Sequence, residues 1–384
     1  MSALRPRLCI VNPSQHGGGA EYQIGLLIRA LSDADRFDIY HLARHVDESS
    51  RPEGYSVVRI GRSGRVPPFG YATDLFPLYR ALAQIAPRVI YQRVACGYTG
   101  ICALYARQRH ARMIWHVAHD TDVTPQGLDV GRNLLRRRLE KWSIEFGIRH
   151  ADRIVVQTRD QDGLLARHYG RRADAIVANF QPEPAARTPK SPTPAVVWIA
   201  NLKPWKRPEA FIRLAHALRD LDGVQFVMIG EAAGPKQEQW LADVLRSIAA
   251  TPNVIFLGAR TQDEVNEALA RAWIFVNTST QEGFPNTFIQ AWLRDTVVAS
   301  LDVNPDRVLD EQGLGIHAVS EERLAEAVRS LLSDAVARAA YAERGRAHAL
   351  AHHSVRNADA LVQLIDDCAR PDRPPGLILD PRRP

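Results

Sequence analysis

At 384 residues the chain is longer than one hydrophobic core usually sustains, so two domains are expected. Its apolar fraction of 46% argues against disorder over most of the length, and no apolar run reaches the roughly 18 residues a membrane-spanning helix needs. A formal charge of +6 is mild for this length, the N-terminus lacks a secretory apolar stretch, and the four cysteines follow no metal-ligand spacing. A cytoplasmic protein with reduced, buried thiols is the expectation, with no nucleic acid as partner.

The first strand is expected over 7–11, followed by His16-Gly17-Gly18-Gly19 and a helix through Leu31. Three successive glycines let the backbone approach a ligand closely because no Cβ intervenes. Their spacing is neither that of a dinucleotide fingerprint nor that of a P-loop, so this loop is expected to border a cleft. Strands at 37–42, 56–60, 88–91, 112–116, 153–157 and 175–178 alternate with helical patterns at 73–85, 100–108, 132–148 and 159–168. Such alternation builds a mostly parallel sheet covered on both faces, a first α/β domain over 1–180.

Within that domain, the helical stretch carrying Arg132, Arg136, Arg137, Arg138, Lys141 and Arg149 also carries Leu134, Leu135, Leu139, Trp142 and Phe146. It suits an anionic membrane surface at the inner face, a phosphorylated acceptor, or simply a packed helix with a solvated basic face. His116 and His119-Asp120 follow the strand at 112–116. Two histidines three apart at a strand end, without a further ligand at fixed spacing, do not suggest a metal site. His119, further past the strand, is expected in the cleft, bonding a sugar hydroxyl or holding a departing group; His116 is as readily structural.

Residues 181–194 contain five prolines and few apolar residues, the composition of an interdomain linker. The pattern then restarts, with strands at 195–199, 225–229, 253–257, 273–276, 296–299 and 315–318, and helices at 208–218, 236–248, 263–271, 286–294 and 321–332. A second α/β domain over 195–350 is expected, with 351–384 supplying a helix that packs back on the first domain and then a loosely held tail. Two such domains in tandem leave a cleft between the ends of their strands.

The stretch from Trp273 to Trp292 carries the most chemistry. A buried apolar run leads through Glu282-Gly283-Phe284-Pro285-Asn286-Thr287 into a helix, and helix-start amides at the C-terminal edge of a parallel sheet suit an anion. Glu282 cannot help hold a phosphate, so its expected role is to accept hydrogen bonds from neighbouring hydroxyls; a solvated capping carboxylate is the plainer alternative. Lys203, Lys206 and Arg207 follow the first strand of the second domain and reach the same edge, where cations stabilise charge growing on a diphosphate. Lys206 is the expected phosphate contact and Arg207 the second choice. No Gly-x-Ser-x-Gly elbow is present, and Glu282 with Asp120 is a weak carboxylate pair for hydrolysis.

Together Val196-Val-Trp-Ile-Ala200-Asn-Leu-Lys-Pro-Trp-Lys206-Arg207, Phe226-Val-Met-Ile-Gly230, Asn253-Val-Ile-Phe-Leu-Gly258 and Phe275-Val-Asn-Thr-Ser-Thr-Gln-Glu282-Gly-Phe-Pro-Asn closely resemble the family 4 retaining glycosyltransferases. Gly17-Gly-Gly19 and Ala151-Asp-Arg-Ile-Val-Val-Gln-Thr158 extend the resemblance into the first domain. It implies the GT-B fold: two Rossmann-like domains facing each other across a cleft, the first for the acceptor and the second for a nucleotide sugar. By position, Lys206 takes the donor diphosphate and Glu282 the donor sugar. The turn of Gly283, Phe284, Pro285, Asn286 and Thr287 receives the phosphates, Gly18 approaches the donor, and His119 lies near the sugar being transferred.

Retention without a required metal is implied as well, the leaving phosphate helping to deprotonate the acceptor hydroxyl. Two departures stand out. The usual Gly-Arg pair is Ala200-Asn201, which removes a cation that Lys203 or Arg207 would have to replace. The second glutamate, which commonly holds the ribose, is Gln290, an acceptor without the charge. The expected activity is hexosyl transfer from a UDP-, GDP- or ADP-sugar to a glycan, lipid-linked or small-molecule hydroxyl, as in polysaccharide biosynthesis. A sugar-nucleotide epimerase of the same architecture and a non-catalytic nucleotide-sugar-binding protein are the alternatives.

Overall fold

The structure, a computed structural model, describes residues 5–47, 52–61, 70–125, 134–231 and 238–370. Arg132 and the tail from 371 lie outside the described residues. The first seven strands are β1 (Arg7–Val11), β2 (Asp38–Ala43), β3 (Ser56–Arg59), β4 (Val89–Arg93), β5 (Arg112–His116), β6 (Arg153–Val156) and β7 (Ala175–Ile176). Between them run α1 (Gly19–Ala34), α2 (Leu75–Ile85), α3 (Gly97–Arg109), α4 (Leu134–His150) and α5 (Arg159–Tyr169). The strands form one sheet in the order β3-β2-β1-β4-β5-β6-β7, every pair parallel. Leu8 to Val11 are all buried, as the unbroken apolar run requires of a strand covered on both faces.

The second sheet has six strands: β8 (Ala195–Ile199), β9 (Gln225–Ile229), β10 (Val254–Phe256), β11 (Ile274–Asn277), β12 (Val297–Ser300) and β13 (Gly315–His317). Its order, β10-β9-β8-β11-β12-β13, is again all parallel. The helices are α6 (Pro208–Ala217), α7 (Glu238–Ala249), α8 (Gln262–Arg271), α9 (Asn286–Trp292), α10 (Val308–Glu311), α11 (Glu321–Ser333) and α12 (Ala335–His352). The short α10 carries no periodic signal strong enough to read from sequence. Two such sheets are the two Rossmann-like domains of a GT-B fold.

The chain divides into two compact units: one runs to Asn179 and resumes at Val355, the other is Phe180–Ser354. The last helix, α13 (Arg356–Ala369), therefore counts with the first unit, where Asp366 pairs with Arg36 beside α1 and Asn357 Nδ2 donates to the Ala178 carbonyl at 3.0 Å. Residues 181–194, regular structure aside, count with the second unit. There Lys190 Nζ donates to Arg294 O at 2.9 Å and Thr296 Oγ1 at 2.6 Å, and the Trp273 indole donates to Ser191 O at 2.8 Å. Burial pushes the Lys190 ammonium down to about 7.

Candidate active site

The order of the second sheet decides which loops meet. β8 and β11 are neighbours, paired Ile274 to Val196 and Phe275 to Val197, so the loops leaving their C-terminal ends lie side by side. After β8 the chain forms a 3₁₀ turn at Pro204–Lys206, Arg207 turns through the left-handed region (φ 49°), and Pro208 opens α6. After β11, Thr278 Oγ1 lies 2.6 Å from the Lys206 carbonyl and 2.9 Å from that of Arg207, sharing one proton between them. The buried Trp198 indole donates to the same hydroxyl at 2.9 Å, and the Thr280 amide donates to Trp205 O at 2.9 Å. Three of these contacts join the two loops, and the fourth ties the second loop to β8 itself.

That stitching brings Lys206 Nζ onto Glu282 Oε1 as a mostly buried ion pair. Both residues face one point, a cation and an acceptor held side by side. Gly283, Phe284 and Pro285 are buried; Asn286 and Thr287 are half-buried and open α9, where backbone amides lie ahead of any intrahelical carbonyl. Pro285 has no N–H, so it can shape that turn but cannot donate to a phosphate. The Phe284 ring turns into its own domain, its centroid 4.4 Å from that of His353 and 6.1 Å from that of Trp292.

The other cations differ. Arg207 is held at 2.8 Å by both Asp302 and Glu321, and Arg213 shares Glu321. A guanidinium committed to two carboxylates is poorly placed to replace the cation missing at Asn201. Lys203 Nζ sits over the Trp205 ring, 5.1 Å from its centroid, and keeps a compact charge on a flexible stem. Gln290 is buried on α9, its Nε2 donating to Asn266 Oδ1 at 3.0 Å, which leaves the amide oxygen as the end that can accept.

Three contributors stand within the motifs quoted from the sequence but were given no role there. Thr278 and Trp198 act through the loop contacts above, which no local pattern announces. Gly230 follows β9, and a Cβ there would fall 1.8 Å from the Ala200 carbonyl oxygen, so only glycine lets these backbones approach. An isolated glycine at a strand end was the available signal.

The sequence model described as "Glycosyl transferases group 1" matches residues 193–334, and that described as "Glycosyl transferase 4-like domain" matches residues 18–179. The chain belongs to the family 4 glycosyltransferases of the GT-B superfamily. It is similar to a D-inositol 3-phosphate glycosyltransferase of Rhodococcus opacus (strain B4), 24% identical over 237 residues that cover 56% of this chain. The match takes in 53% of that protein, so the chain spans about half the length of this relative. In fold it is similar to the Anabaena protein HepE solved with UDP and glucose (18% identity, TM-score 0.74, 94% of this chain and 100% of that one). It is likewise similar to the sucrose-phosphate synthase of Thermosynechococcus elongatus (15% identity, TM-score 0.76, 94% and 99%).

In this chain the first domain carries Gly18 and His119 on the loops that follow β1 and β5. Gly18 is exposed and N-caps α1 in an extended conformation; a Cβ there would meet Glu21 Oε2 at 2.5 Å. Glu21 is itself engaged through Oε1 by Asn12 Nδ2 at 3.0 Å. His119 caps the 3₁₀ turn Asp120–Val123, its Nδ1 accepting from the Thr121 amide at 3.2 Å with Thr121 Oγ1 at 2.9 Å. With Nδ1 accepting, the neutral ring carries its proton on Nε2, which makes that nitrogen the donor. Asp122 Oδ2 fixes the turn by accepting from the amides of Ala118 and His119 at 2.8 and 3.1 Å.

Burial pushes the Asp120 carboxyl up to about 6, against the pull of Gln161, whose Nε2 donates to Asp120 Oδ1 at 3.0 Å. His116 is the structural member of the pair. It is buried with Nδ1 2.5 Å from the Tyr91 hydroxyl, and burial and then the Arg93 charge hold its ring well below the ordinary range, hence neutral. Among the described residues no helix is long and apolar enough to cross a membrane.

Proposed function

We propose that the protein transfers a sugar, with retention, from a nucleotide-sugar donor to an acceptor hydroxyl. The observation that carries this reading is the Lys206–Glu282 pair at the edge shared by β8 and β11. Donor entry splits the pair: Lys206 moves to the diphosphate and Glu282 turns to the sugar hydroxyls. Neither charge is then left buried without a partner, so the exchange avoids the cost of breaking an ion pair outright.

As the glycosidic bond breaks, negative charge grows on the diphosphate, and Lys206 with the turn amides at Gly283, Phe284, Asn286 and Thr287 meets it there. Lys203 adds positive charge beside Trp205 at the same edge, Arg207 acts through the loop it anchors, and Gln290 accepts from the ribose through its amide oxygen. Gly18 and the Nε2–H of His119 serve from the first domain, the latter toward the transferred sugar. The leaving phosphate takes the proton of the acceptor hydroxyl on the same face. The reading assigns no step to a metal.

UDP-glucose is the first donor to try, because HepE was solved with UDP and glucose; GDP- and ADP-sugars complete the panel. The Rhodococcus relatives make D-inositol 3-phosphate the first small acceptor, beside glycans and lipid-linked sugars. Release of nucleotide that depends on both donor and acceptor, with a product that keeps the donor's anomeric configuration, is expected. Donor interconversion without acceptor marks an epimerase, donor binding without turnover marks a binding protein, and absence of donor binding by folded protein defeats the reading.

A further inference from the structure

We infer that the outward face of α4 docks on an anionic lipid bilayer; this rests on the surface of the first domain and stands whether or not the donor reading holds. The inner face of α4 is already fully used. Ile144 and Ile148 are buried in the core, Ser143 Oγ donates to Gly97 O at 2.8 Å, and Glu140 accepts from the Ala72 amide at 3.1 Å. The helix lies so close to α3 that a Cβ at Gly100 would fall 2.2 Å from Ser143 O, and one at Gly147 2.5 Å from the Thr99 carbonyl carbon. An apolar residue on the opposite side is therefore no misplaced core residue, since the helix cannot roll inward to cover it.

Yet that side is apolar along one line. Leu135, Leu139 and Trp142 follow one another at four and three residues, the spacing of a single helical stripe, and the half-buried Phe146, four residues on, carries that stripe back to the core. Leu135 and Trp142 are 63% and 64% exposed, and Leu134 beside them is 68% exposed. The Trp142 and Phe146 rings stack at 5.7 Å, and Phe146 stacks on His150 at 4.2 Å, which fixes the aromatic end. Arg138, Lys141 and Arg149 form the adjacent exposed line, three and eight residues apart in helical register. Its one acid, Glu145, lies 3.9 Å from Lys141 and 3.8 Å from Arg149, so the face stays cationic.

Charge selects the occupant. A second copy of this face would set like charges against one another. A nucleic acid would satisfy the arginines but leave the leucines in water. An anionic bilayer takes both lines at once, with the apolar stripe at the acyl boundary and the cations at the headgroups.

The test is flotation of the full chain with phosphatidylcholine vesicles, with and without phosphatidylglycerol. Binding to the anionic vesicles should exceed binding to neutral ones by about tenfold or more and fall with added salt. Arg138→Gln with Lys141→Gln should lower that affinity about 25-fold, at about fivefold per surface cation. Leu135→Ser with Trp142→Ser should abolish quenching of tryptophan emission by brominated acyl chains while leaving the melting temperature and UDP binding unchanged. Equal binding to both vesicle types, binding indifferent to both pairs of variants, or binding to a soluble polyanion but not to vesicles would overturn the proposal. The vesicle assay needs no turnover, so its result is independent of the sugar-transfer assay.

Discussion

Lys206 and Glu282 stand 76 residues apart in sequence and share an ion pair at the C-terminal edge of the second sheet. In the proposed reading each is the other's partner until the donor separates them. This makes their variants asymmetric.

Lys206→Ala removes the cation and leaves Glu282 repelling the diphosphate, so donor and nucleoside diphosphate affinities should both fall, roughly ten- to a hundredfold. Glu282→Gln frees Lys206 while keeping the shape, so affinity for UDP should hold or rise while the transfer rate drops about tenfold or more. Calorimetry with UDP beside initial rates separates the two. Parallel loss in both assays for both variants would mean that they share a merely structural role.

Gln290 Nε2 donates to Asn266 Oδ1, and in the proposed reading its neutral amide oxygen accepts from the ribose. Gln290→Glu puts charge on the accepting end, and a charged acceptor gains about 1 kcal/mol over a neutral one. Donor affinity should rise about fivefold, and the gain should vanish with a deoxyribose donor. An equal gain on both donors would place Gln290 away from the ribose.

At Gly230 a Cβ would strike backbone rather than a movable side chain. Gly230→Ala should cost about 3 kcal/mol, lower the second domain's calorimetric transition by roughly 6–12 °C and weaken donor binding through the Asn201 to Arg207 loop. Gly163, in α5 with open space around its Cβ position, provides the opposite sign: Gly163→Ala should stabilise by about 0.5–1 kcal/mol.

Asp120, raised from 3.8 to about 6 by burial, holds its proton more tightly folded than unfolded. Stability should therefore fall as pH rises through that window, and its cost is fully present above about 6. Asp120→Asn, which keeps the shape without the titration, should gain on the wild type between pH 4 and 6 in chemical denaturation and keep a constant lead above. A difference independent of pH would show that the carboxyl is solvated.

Much of this was legible beforehand because it is periodic. Apolar runs such as Leu8 to Val11 and Ile274 to Val276 are buried on both faces, so their composition alone marks them as parallel strands between helices. The placement of Lys206 and Glu282 on loops at strand ends followed from that alternation. The short α10, the start of α3 at Gly97 and the ends of several strands did not, since hydrogen-bond closure and capping settle ends residue by residue.

By itself, then, the sequence determined the two α/β repeats, the family and the loops that carry charge, because these rest on patterns local to each segment. Only the tertiary structure decided what each charge does. Strand order set β8 beside β11 and so gave Lys206 to Glu282, whereas Arg207, one residue on, went to Asp302 and to Glu321, 114 residues away. Burial against Tyr91 made His116 a neutral core residue, while Thr121, two residues on, holds the His119 ring through Nδ1. Partners that far apart in sequence meet only through the fold, and it is the partner that decides whether a charged side chain is a brace or a binding group.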